Sequence, residues 1–242
     1  MAGTAVRRER GAEDRAGMGV TFGPGQHLWK ATAMGGRLIT IEGLDGAGKT
    51  TLAERLGPAL AARGVDVELL REPGGVELSE RIRTLVKDPA LSVDPRAEAL
   101  LYAAARAQLC AERVAPLLAG GRWVLLDRFV DSSLAYQGAG RGLGMDAVRA
   151  INDFGTGGVV PDRTLLLRVD GATRDARQAA RGEPPDRLER EDGAFYAAIA
   201  SAYDALAAAD GARIRVIDAR VAPEQVLEQA MAALGDLLPS EA

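Results

Sequence analysis

Short apolar runs alternate along the chain with longer stretches in which apolar residues recur every three to four positions. The short runs are rich in Leu, Ile and Val, which is typical of strands buried on both faces of a sheet. The longer stretches have the periodicity of helices with one buried face. The pattern predicts strands at 38–42, 65–70, 122–126, 164–169 and 213–217, and helices at 48–62, 77–87, 96–119, 145–155, 171–181, 192–209 and 222–237. The Gly57-Pro58 pair is expected to bend or split the first helix.

Alternating strands and helices predict an α/β fold, a doubly wound five-stranded parallel sheet with helices on both faces. The 242 residues suffice for one such domain with a sizeable core. We assign the domain to residues 34–242, where Met34 could be an alternative translation start. Residues 1–33 lack the apolar core of a secretory signal and are expected to form a flexible extension.

The residues between the first predicted strand and helix read Gly-Leu-Asp-Gly-Ala-Gly-Lys-Thr, from Gly43 to Thr50. A glycine-rich turn that opens a helix points backbone N–H groups at one place, where the helix N-terminus adds partial positive charge. Gly43 and Gly48 allow a close approach, Lys49 can reach the β- and γ-phosphates, and the Thr50 hydroxyl can hold Mg²⁺. Because the chain has only three lysines, a lysine at this position argues against a chance match.

Composition and charge argue against several classes of protein. The net charge of −4 argues against a general nucleic-acid or anionic-membrane surface. A single cysteine, Cys110, excludes an internal disulfide framework, and no apolar run is long enough to cross a bilayer. We therefore expect a cytoplasmic protein. The only histidine, His27, lies in the extension, so a histidine-based active site is not expected.

In doubly wound folds the ligand binds beyond the carboxyl ends of the strands. Arg71-Glu72-Pro73-Gly74-Gly75 follows the second predicted strand, residues 127–137 follow the third, and Asp218-Ala219 follows the fifth. Asp127 can supply an acidic oxygen near Mg²⁺, and Arg128 can face phosphates. Taken alone, a strand-ending aspartate is equally typical of a helix cap or a turn.

Together these segments resemble the thymidylate kinase family, P-loop kinases that transfer the γ-phosphoryl group of ATP to dTMP. The resemblance covers about residues 37–238. It rests on the phosphate loop, on Arg-Glu-Pro-Gly-Gly followed by Ile82-Arg83, on residues 98–106, on Asp-Arg-Phe at 127–129 with Ser-Ser-Leu-Ala-Tyr-Gln at 132–137, and on the arginine-bearing segment 177–189. It implies a P-loop NTPase fold of the nucleoside monophosphate kinase type with a lid at about 177–190, ATP and dTMP as substrates, Mg²⁺, a place in dTTP synthesis and a homodimer.

The resemblance also implies which residues meet each substrate. ATP is expected to contact Gly43, Leu44, Asp45, Gly46, Ala47, Gly48, Lys49, Thr50, Thr51, Arg177, Arg187, Asp218 and Ala219, and Mg²⁺ to contact Thr50 and Asp127. dTMP is expected to contact Asp45, Glu72, Pro73, Arg83, Tyr102, Arg106, Arg128, Ser133, Tyr136 and Gln137.

Within the dTMP set, Tyr102 would stack on thymine, where relatives usually carry phenylalanine. Arg106, Ser133 and Gln137 would read the base, and Tyr136 would pack on the deoxyribose. Without the resemblance, the favoured interpretation of Tyr102 and Arg106 would be a core ring and a solvated charge on one helix.

Catalysis by such a site is mostly positioning and charge neutralisation, for which the resemblance implies Lys49, Arg128, Arg181 and Asp45. A phosphate monoester with a second pKa near 6 is already largely ionised at neutral pH, so no general base is required. Gly46 stands where one branch of the family has an arginine, so the lid is expected to supply that cation, as in the bacterial-type branch. Arg181 is the expected residue, with Arg177 and Arg187 as alternates; a solvated helix face is the competing interpretation.

Three other functions share parts of this pattern. A kinase for another nucleoside monophosphate would keep the loop and lid but change the base pocket. A regulatory GTPase would need an Asn-Lys-x-Asp guanine reader, which the three lysines do not provide. A non-catalytic subunit would bind ATP without turnover, although the retained Lys49, Thr50, Asp127 and Arg128 argue against it.

Overall fold

The computed structural model describes residues 35–180, 182 and 184–239. Within them five parallel strands form one sheet, β1 (Leu38–Gly43), β2 (Val67–Arg71), β3 (Trp123–Asp127), β4 (Arg163–Arg168) and β5 (Ile214–Asp218). The strand order is β2-β3-β1-β4-β5. Leu38 pairs with Val124 on one side of β1, and Ile39 with Arg163 on the other. The five predicted strands are confirmed, with small shifts at their ends, whereas the predicted N-terminal extension lies outside the described residues.

Helices connect the strands in the described part of the chain. They are α1 (Lys49–Ala61), α2 (Glu77–Lys87), α3 (Pro95–Leu109), α4 (Ala115–Ala119), α5 (Val130–Ser133), α6 (Met145–Thr156), α7 (Gly171–Ala180), α8 (Gly193–Ala209) and α9 (Pro223–Ala233). Two π-helical segments, Cys110–Val114 and Leu134–Gly140, follow α3 and α5. None of the described helices is both long and apolar enough to span a membrane.

The first helix is not split at Gly57-Pro58, because α1 runs through Pro58 without a break. Leu52, Leu56 and Leu60 are buried on one face of this helix and pack in the core. Pro58 has no N–H to donate to the carbonyl of Glu54. Both Pro58 and Glu54 are exposed, so water can hydrogen-bond that carbonyl. Burial of the apolar face, worth about 1.5–3 kcal/mol for each leucine, outweighs the lost hydrogen bond.

The single helix predicted at 96–119 is interrupted by the π-helical segment Cys110–Val114, just before Pro116. The N–H of Ala115 bonds to the Cys110 carbonyl, five residues back, which widens the helix by one residue just before the proline. A proline ring clashes with the carbonyl four residues earlier, and a local π segment is a common way to relieve that clash.

Helices cover both faces of the sheet. On one face Ile39 packs with Leu56 of α1 and Val226 of α9. On the other, Leu126 packs with Leu109 of α3, and α6 and α8 cover the neighbouring strands. Because every strand runs in the same direction, the residues that follow β1, β2 and β3 meet at one edge of the sheet.

Candidate active site

A cavity of about 470 Å³ opens at this edge. It is lined by the phosphate loop, by residues after β2 and β3, by α3 and by part of the 177–189 segment. All ten residues expected to contact dTMP line it, although they come from five separate parts of the sequence: Asp45, Glu72, Pro73, Arg83, Tyr102, Arg106, Arg128, Ser133, Tyr136 and Gln137.

The phosphate loop, residues 43–50, joins β1 to α1 through backbone conformations that only glycine adopts readily. Gly43 has φ +137° and Gly48, which caps α1, has φ +96°. A Cβ on Gly43 would lie 2.5 Å from the Leu167 carbonyl oxygen, so a side chain there would push β1 away from β4. The loop therefore holds its backbone N–H groups at the N-terminus of α1, where an anion is stabilised.

Lys49 folds back over this loop. Its Nζ donates to the Gly43 carbonyl at 3.1 Å and to the Leu44 carbonyl at 2.8 Å. Burial, reinforced by the nearby positive charge of Arg128, lowers the pKa of Lys49 to about 8, although Asp45 and Asp127 oppose the shift. The ammonium is thus poised beside the place where phosphates would bind, and it loses its proton more easily than an exposed lysine.

This pKa predicts a pH dependence of ATP binding. Only the protonated lysine attracts phosphate, so affinity should be full below pH 8 and fall as the pH rises through 8. Phosphate keeps its charge above pH 7, and we expect the Kd for ATP to rise about tenfold between pH 7 and pH 9. Calorimetric titration at constant Mg²⁺ measures it. A Lys49→Arg variant, whose guanidinium stays charged, should show a flat profile, and a flat profile in the wild type would contradict the assignment.

Asp45, Arg128 and Tyr136 form a cluster beside the loop. Arg128 Nη2 donates to Asp45 Oδ1 at 2.5 Å, and the Tyr136 hydroxyl donates to Asp45 Oδ2 at 2.9 Å. Burial opposes ionisation of Asp45, but Arg128 and Lys49 outweigh it and hold the pKa of this carboxyl well below its usual range. Asp45 is therefore an anion that fixes the direction of the Arg128 guanidinium.

The backbone of Arg128 is also unusual. Its φ of +72° is the only positive value at a non-glycine residue in the described chain. Such a conformation costs about 1–3 kcal/mol and persists only where the surroundings enforce it. Here the guanidinium donates to the Gly43 carbonyl at 3.1 Å and the Ser132 hydroxyl at 3.0 Å. These contacts hold the Arg128 side chain toward the phosphate loop and not along the strand direction.

Thr50 and Asp127 are in contact at the C-terminal end of the phosphate loop, where the Thr50 hydroxyl donates to Asp127 Oδ2 at 2.9 Å. A hydroxyl and a carboxylate are hard oxygen donors that suit Mg²⁺, which usually takes one or two protein ligands and completes its shell with phosphates and water. Among the described residues, no group of three or more His, Cys, Asp or Glu side chains is placed to hold a metal ion.

Comparison with known proteins agrees with this arrangement. The family model described as thymidylate kinase matches residues 41–230. The chain belongs to the thymidylate kinase family. It is 47% identical over 208 residues to the thymidylate kinase of Rhizorhabdus wittichii, an alignment that covers 85% of this chain and all of that protein. It is 48% identical over 193 residues to the thymidylate kinase of Deinococcus radiodurans, covering 80% and 93%.

Solved structures show the same similarity. The crystal structure of thymidylate kinase from Ehrlichia chaffeensis matches with a TM-score of 0.65 and 30% identity, over 83% of this chain and 99% of that one. The expected P-loop fold of the nucleoside monophosphate kinase type is thereby confirmed.

Arg106 lies in the cavity wall, but its donors are already engaged. It is 2% exposed, its Nε donates to Glu72 Oε2 at 2.7 Å, its Nη2 to the Phe129 carbonyl at 3.0 Å, and its Nη1 to both Ser133 Oγ and Asn152 Oδ1. Its Nη2 also lies 2.6 Å from Glu72 Oε2. A guanidinium has five N–H donors, and protein acceptors surround them all. In this conformation Arg106 braces the pocket, and the expectation that it hydrogen-bonds the base edge stays a prediction.

Glu72, the partner of Arg106, is itself 6% exposed. Burial raises its pKa to about 7, although Arg106 opposes the shift. The pair joins the segment after β2 to α3, so it fixes one wall of the cavity.

A second, smaller cavity of about 190 Å³ lies on the other side of the phosphate loop. Ala47, Gly48, Thr51, Arg177 and Ala219 line it. Arg177 Nη2 donates to the Ala219 carbonyl at 2.8 Å, and its Nη1 donates to the Ala47 carbonyl at 3.3 Å. These five members of the expected ATP set therefore meet. Asp218 does not join them, because its carboxylate pairs with Arg220 at 2.8 Å.

The structure places Arg187 away from the phosphate loop. Its Nη2 lies 2.7 Å from Glu98 Oε2, and its Nε donates to the Val86 carbonyl at 2.9 Å. Lys87 and Asp186 pair beside it at 2.8 Å. These contacts join the end of the lid to α2 and α3, and the ATP contact expected of Arg187 stays a prediction. Arg181 lies outside the described residues.

Several cavity residues were not singled out from the sequence, namely Arg71, Lys87, Ser132, Asp186, Leu188 and Glu189. Arg71 and Ser132 stand inside segments already recognised after β2 and β3, so their position was a usable signal. The remaining four line the cavity because the lid packs against the end of α2. No local sequence pattern predicts that contact.

Proposed function

We propose that the protein transfers the γ-phosphoryl group of ATP to dTMP, giving dTDP, in the synthesis of dTTP. One observation carries the proposal. Every residue expected to meet dTMP lines the same cavity as the phosphate loop, so the donor and acceptor phosphates would share one enclosed space. Membership of the thymidylate kinase family, from which the dTMP set was expected, also supports it.

The central difficulty of this reaction is repulsion between two polyanions. Lys49 and Arg128 place two cations beside the loop, and the ion pair with Asp45 holds Arg128 in a fixed direction before any ligand arrives. Cations fixed in advance stabilise the charge of the transition state without reorganisation. The acceptor phosphate is already ionised at neutral pH, so these residues need only hold it in line with the γ-phosphate.

Mg²⁺ would be held by Thr50 and Asp127, whose oxygens already lie together at the loop. Bound with ATP, the cation would supply charge neutralisation on the phosphate oxygens. The lid would complete the set of cations. Arg177 reaches the phosphate loop, and we assign the contact with the transferred group to Arg181 in preference to Arg187, which pairs with Glu98.

On the acceptor side, Tyr102 lies in the cavity wall, where we propose that it stacks on thymine. Tyr136 would pack on the deoxyribose, and Asp45 would sit near the sugar 3′-hydroxyl. Arg83 donates to the Pro73 carbonyl at 3.0 Å and would bind the dTMP phosphate together with Arg128. Ser133 and Gln137 would read the pyrimidine.

The test is a coupled ADP-release assay with MgATP and, separately, dTMP, dUMP, dCMP, CMP, AMP and GMP. We expect clear preference for dTMP. A Lys49→Met variant purified in parallel reports any contaminating kinase. Preference for another monophosphate would keep the phosphate-transfer site but discard the base assignments, and absence of turnover with all six would indicate a non-catalytic nucleotide-binding protein.

We also propose a cytoplasmic homodimer. Helix α3 packs against α2 and α6, and these helices expose large apolar side chains: Leu78, Leu85, Leu100 and Phe154, the last 91% exposed. Exposed large apolar side chains on neighbouring helices favour association with a second copy. Light scattering at micromolar concentration should give twice the mass of one chain, and Leu100→Glu should shift it to the monomer. A monomeric wild type would overturn the dimer.

A further inference from the structure

The carboxylate of Glu98 is completely buried on α3 and lies at the meeting point of three parts of the protein. Gln137 Nε2 donates to its Oε1 at 2.9 Å. Arg141 donates to both of its oxygens, at 3.2 Å from Nε and 3.1 Å from Nη2, and Arg187 Nη2 lies 2.7 Å from Oε2. Glu98 itself does not line the cavity, whereas Gln137 does.

These contacts decide which way the Gln137 amide points. A carboxylate only accepts hydrogen bonds, so the amide nitrogen of Gln137 must face Glu98. Gln137 is 2% exposed, and no donor among the described residues hydrogen-bonds its Oε1. The amide oxygen is therefore the polar atom that Gln137 can offer to a ligand in the cavity.

We propose that Glu98 is a positioning residue that sets base specificity, an inference that rests on the proposed function. By fixing the Gln137 oxygen as an acceptor, it makes the pocket suit a pyrimidine with an N3–H donor, which thymine and uracil have. Cytosine presents a lone pair at N3, which would face the amide oxygen and leave both acceptors unpaired. A buried polar group left unpaired costs about 1–3 kcal/mol.

The variant Glu98→Gln reverses the orientation. Positive charge is closest at the Oε2 position, where Arg141 Nη2 donates at 3.1 Å and Arg187 Nη2 lies at 2.7 Å, whereas only Arg141 Nε, at 3.2 Å, approaches Oε1 from the arginines. The amide oxygen of the new glutamine should therefore take the Oε2 place. Its NH₂ group would then face Gln137, whose amide would turn and offer NH₂ to the cavity. That donor matches N3 of cytosine.

We expect the ratio of kcat/KM for dTMP over dCMP to fall about tenfold to hundredfold in Glu98→Gln, mainly through KM for dTMP. The ratio of dTMP over dUMP should not change, because both bases carry N3–H. Glu191→Gln is the matched control, since Glu191 also binds Arg141, at 2.6 Å, but not Gln137, and it should keep both ratios. An unchanged dTMP over dCMP ratio in Glu98→Gln would overturn the proposal.

Loss of a buried charge can also prevent folding, so two further measurements are needed. The swapped pair Glu98→Gln with Gln137→Glu keeps one carboxylate in the cluster and returns an acceptor to the cavity, and it should prefer dTMP again; preference for dCMP would contradict the proposal. On the wild type, N3-methyl-dTMP should bind at least about tenfold more weakly than dTMP, and equal binding would overturn it. Lack of any dTMP turnover in the wild type would instead refute the proposed function.

Discussion

Replacing Arg128 by Ala is expected to lower kcat about 10³-fold, the largest effect on turnover that we predict. The guanidinium contacts Asp45 at 2.5 Å, the Gly43 carbonyl at 3.1 Å and the Tyr136 hydroxyl at 3.2 Å, so it links the phosphate loop to the acceptor side of the cavity. Its removal leaves Asp45 without its partner and, in the proposed mechanism, the two phosphates without a shared cation. Steady-state assays with saturating MgATP and dTMP measure the loss.

Two variants show whether charge or geometry matters. Arg128→Lys keeps the charge but cannot form the fork that holds Asp45 and Ser132 together, so kcat should still fall about tenfold or more. Arg168→Ala is the matched control, because Arg168 is 54% exposed and, within the described part of the chain, forms an ion pair only with Asp204 at the surface. Its kcat should equal that of the wild type. Turnover of Arg128→Ala within threefold of the wild type would remove Arg128 from the proposed mechanism.

Arg106→Met is expected to lower the free energy of unfolding by about 3–5 kcal/mol, the largest stability effect that we predict. The substitution keeps most of the side-chain length but leaves Glu72 buried and unpaired, and it removes donors from Asn152 and the Phe129 carbonyl. Breaking one side of a buried ion pair costs more than removing both. Urea unfolding without ligands measures the change.

The double variant Glu72→Leu with Arg106→Met separates the ion pair from the remaining contacts. It should recover part of the lost stability, because no buried charge is left without a partner. If Arg106→Met unfolds like the wild type and only weakens dTMP binding, the guanidinium must leave these partners to contact the base. That result would restore the role expected from the sequence and contradict the bracing role seen in the structure.

The residues that follow β3 show which parts of the site the sequence alone can indicate. Asp127, Arg128, Tyr136 and Gln137 could be collected from the sequence because they follow one predicted strand, and parallel strands end at one edge of the sheet. The direction of the Arg128 side chain could not, since its φ of +72° is imposed by contacts with Gly43 and Ser132.

In the lid, by contrast, the sequence does not indicate which arginine contacts which acceptor. Its arginine-rich sequence indicates phosphate contacts, yet Arg177 and Arg187 are chemically identical and only their surroundings distinguish them. Arg177 meets the Ala47 and Ala219 carbonyls beside the phosphate loop, whereas Arg187 meets Glu98. Nothing in the spacing of these residues predicts which acceptors the folded chain presents to each.

The sequence by itself determined the five strands and the phosphate loop, because apolar periodicity and the need for glycine are properties of short segments. Membership of the family followed from several such segments in a fixed order. Only the tertiary structure decided that α1 continues through Pro58, that Arg106 pairs with Glu72, and that Glu98 holds Gln137. These features depend on burial and on contacts between residues far apart in the chain, whose energies exceed the local preferences that a sequence displays.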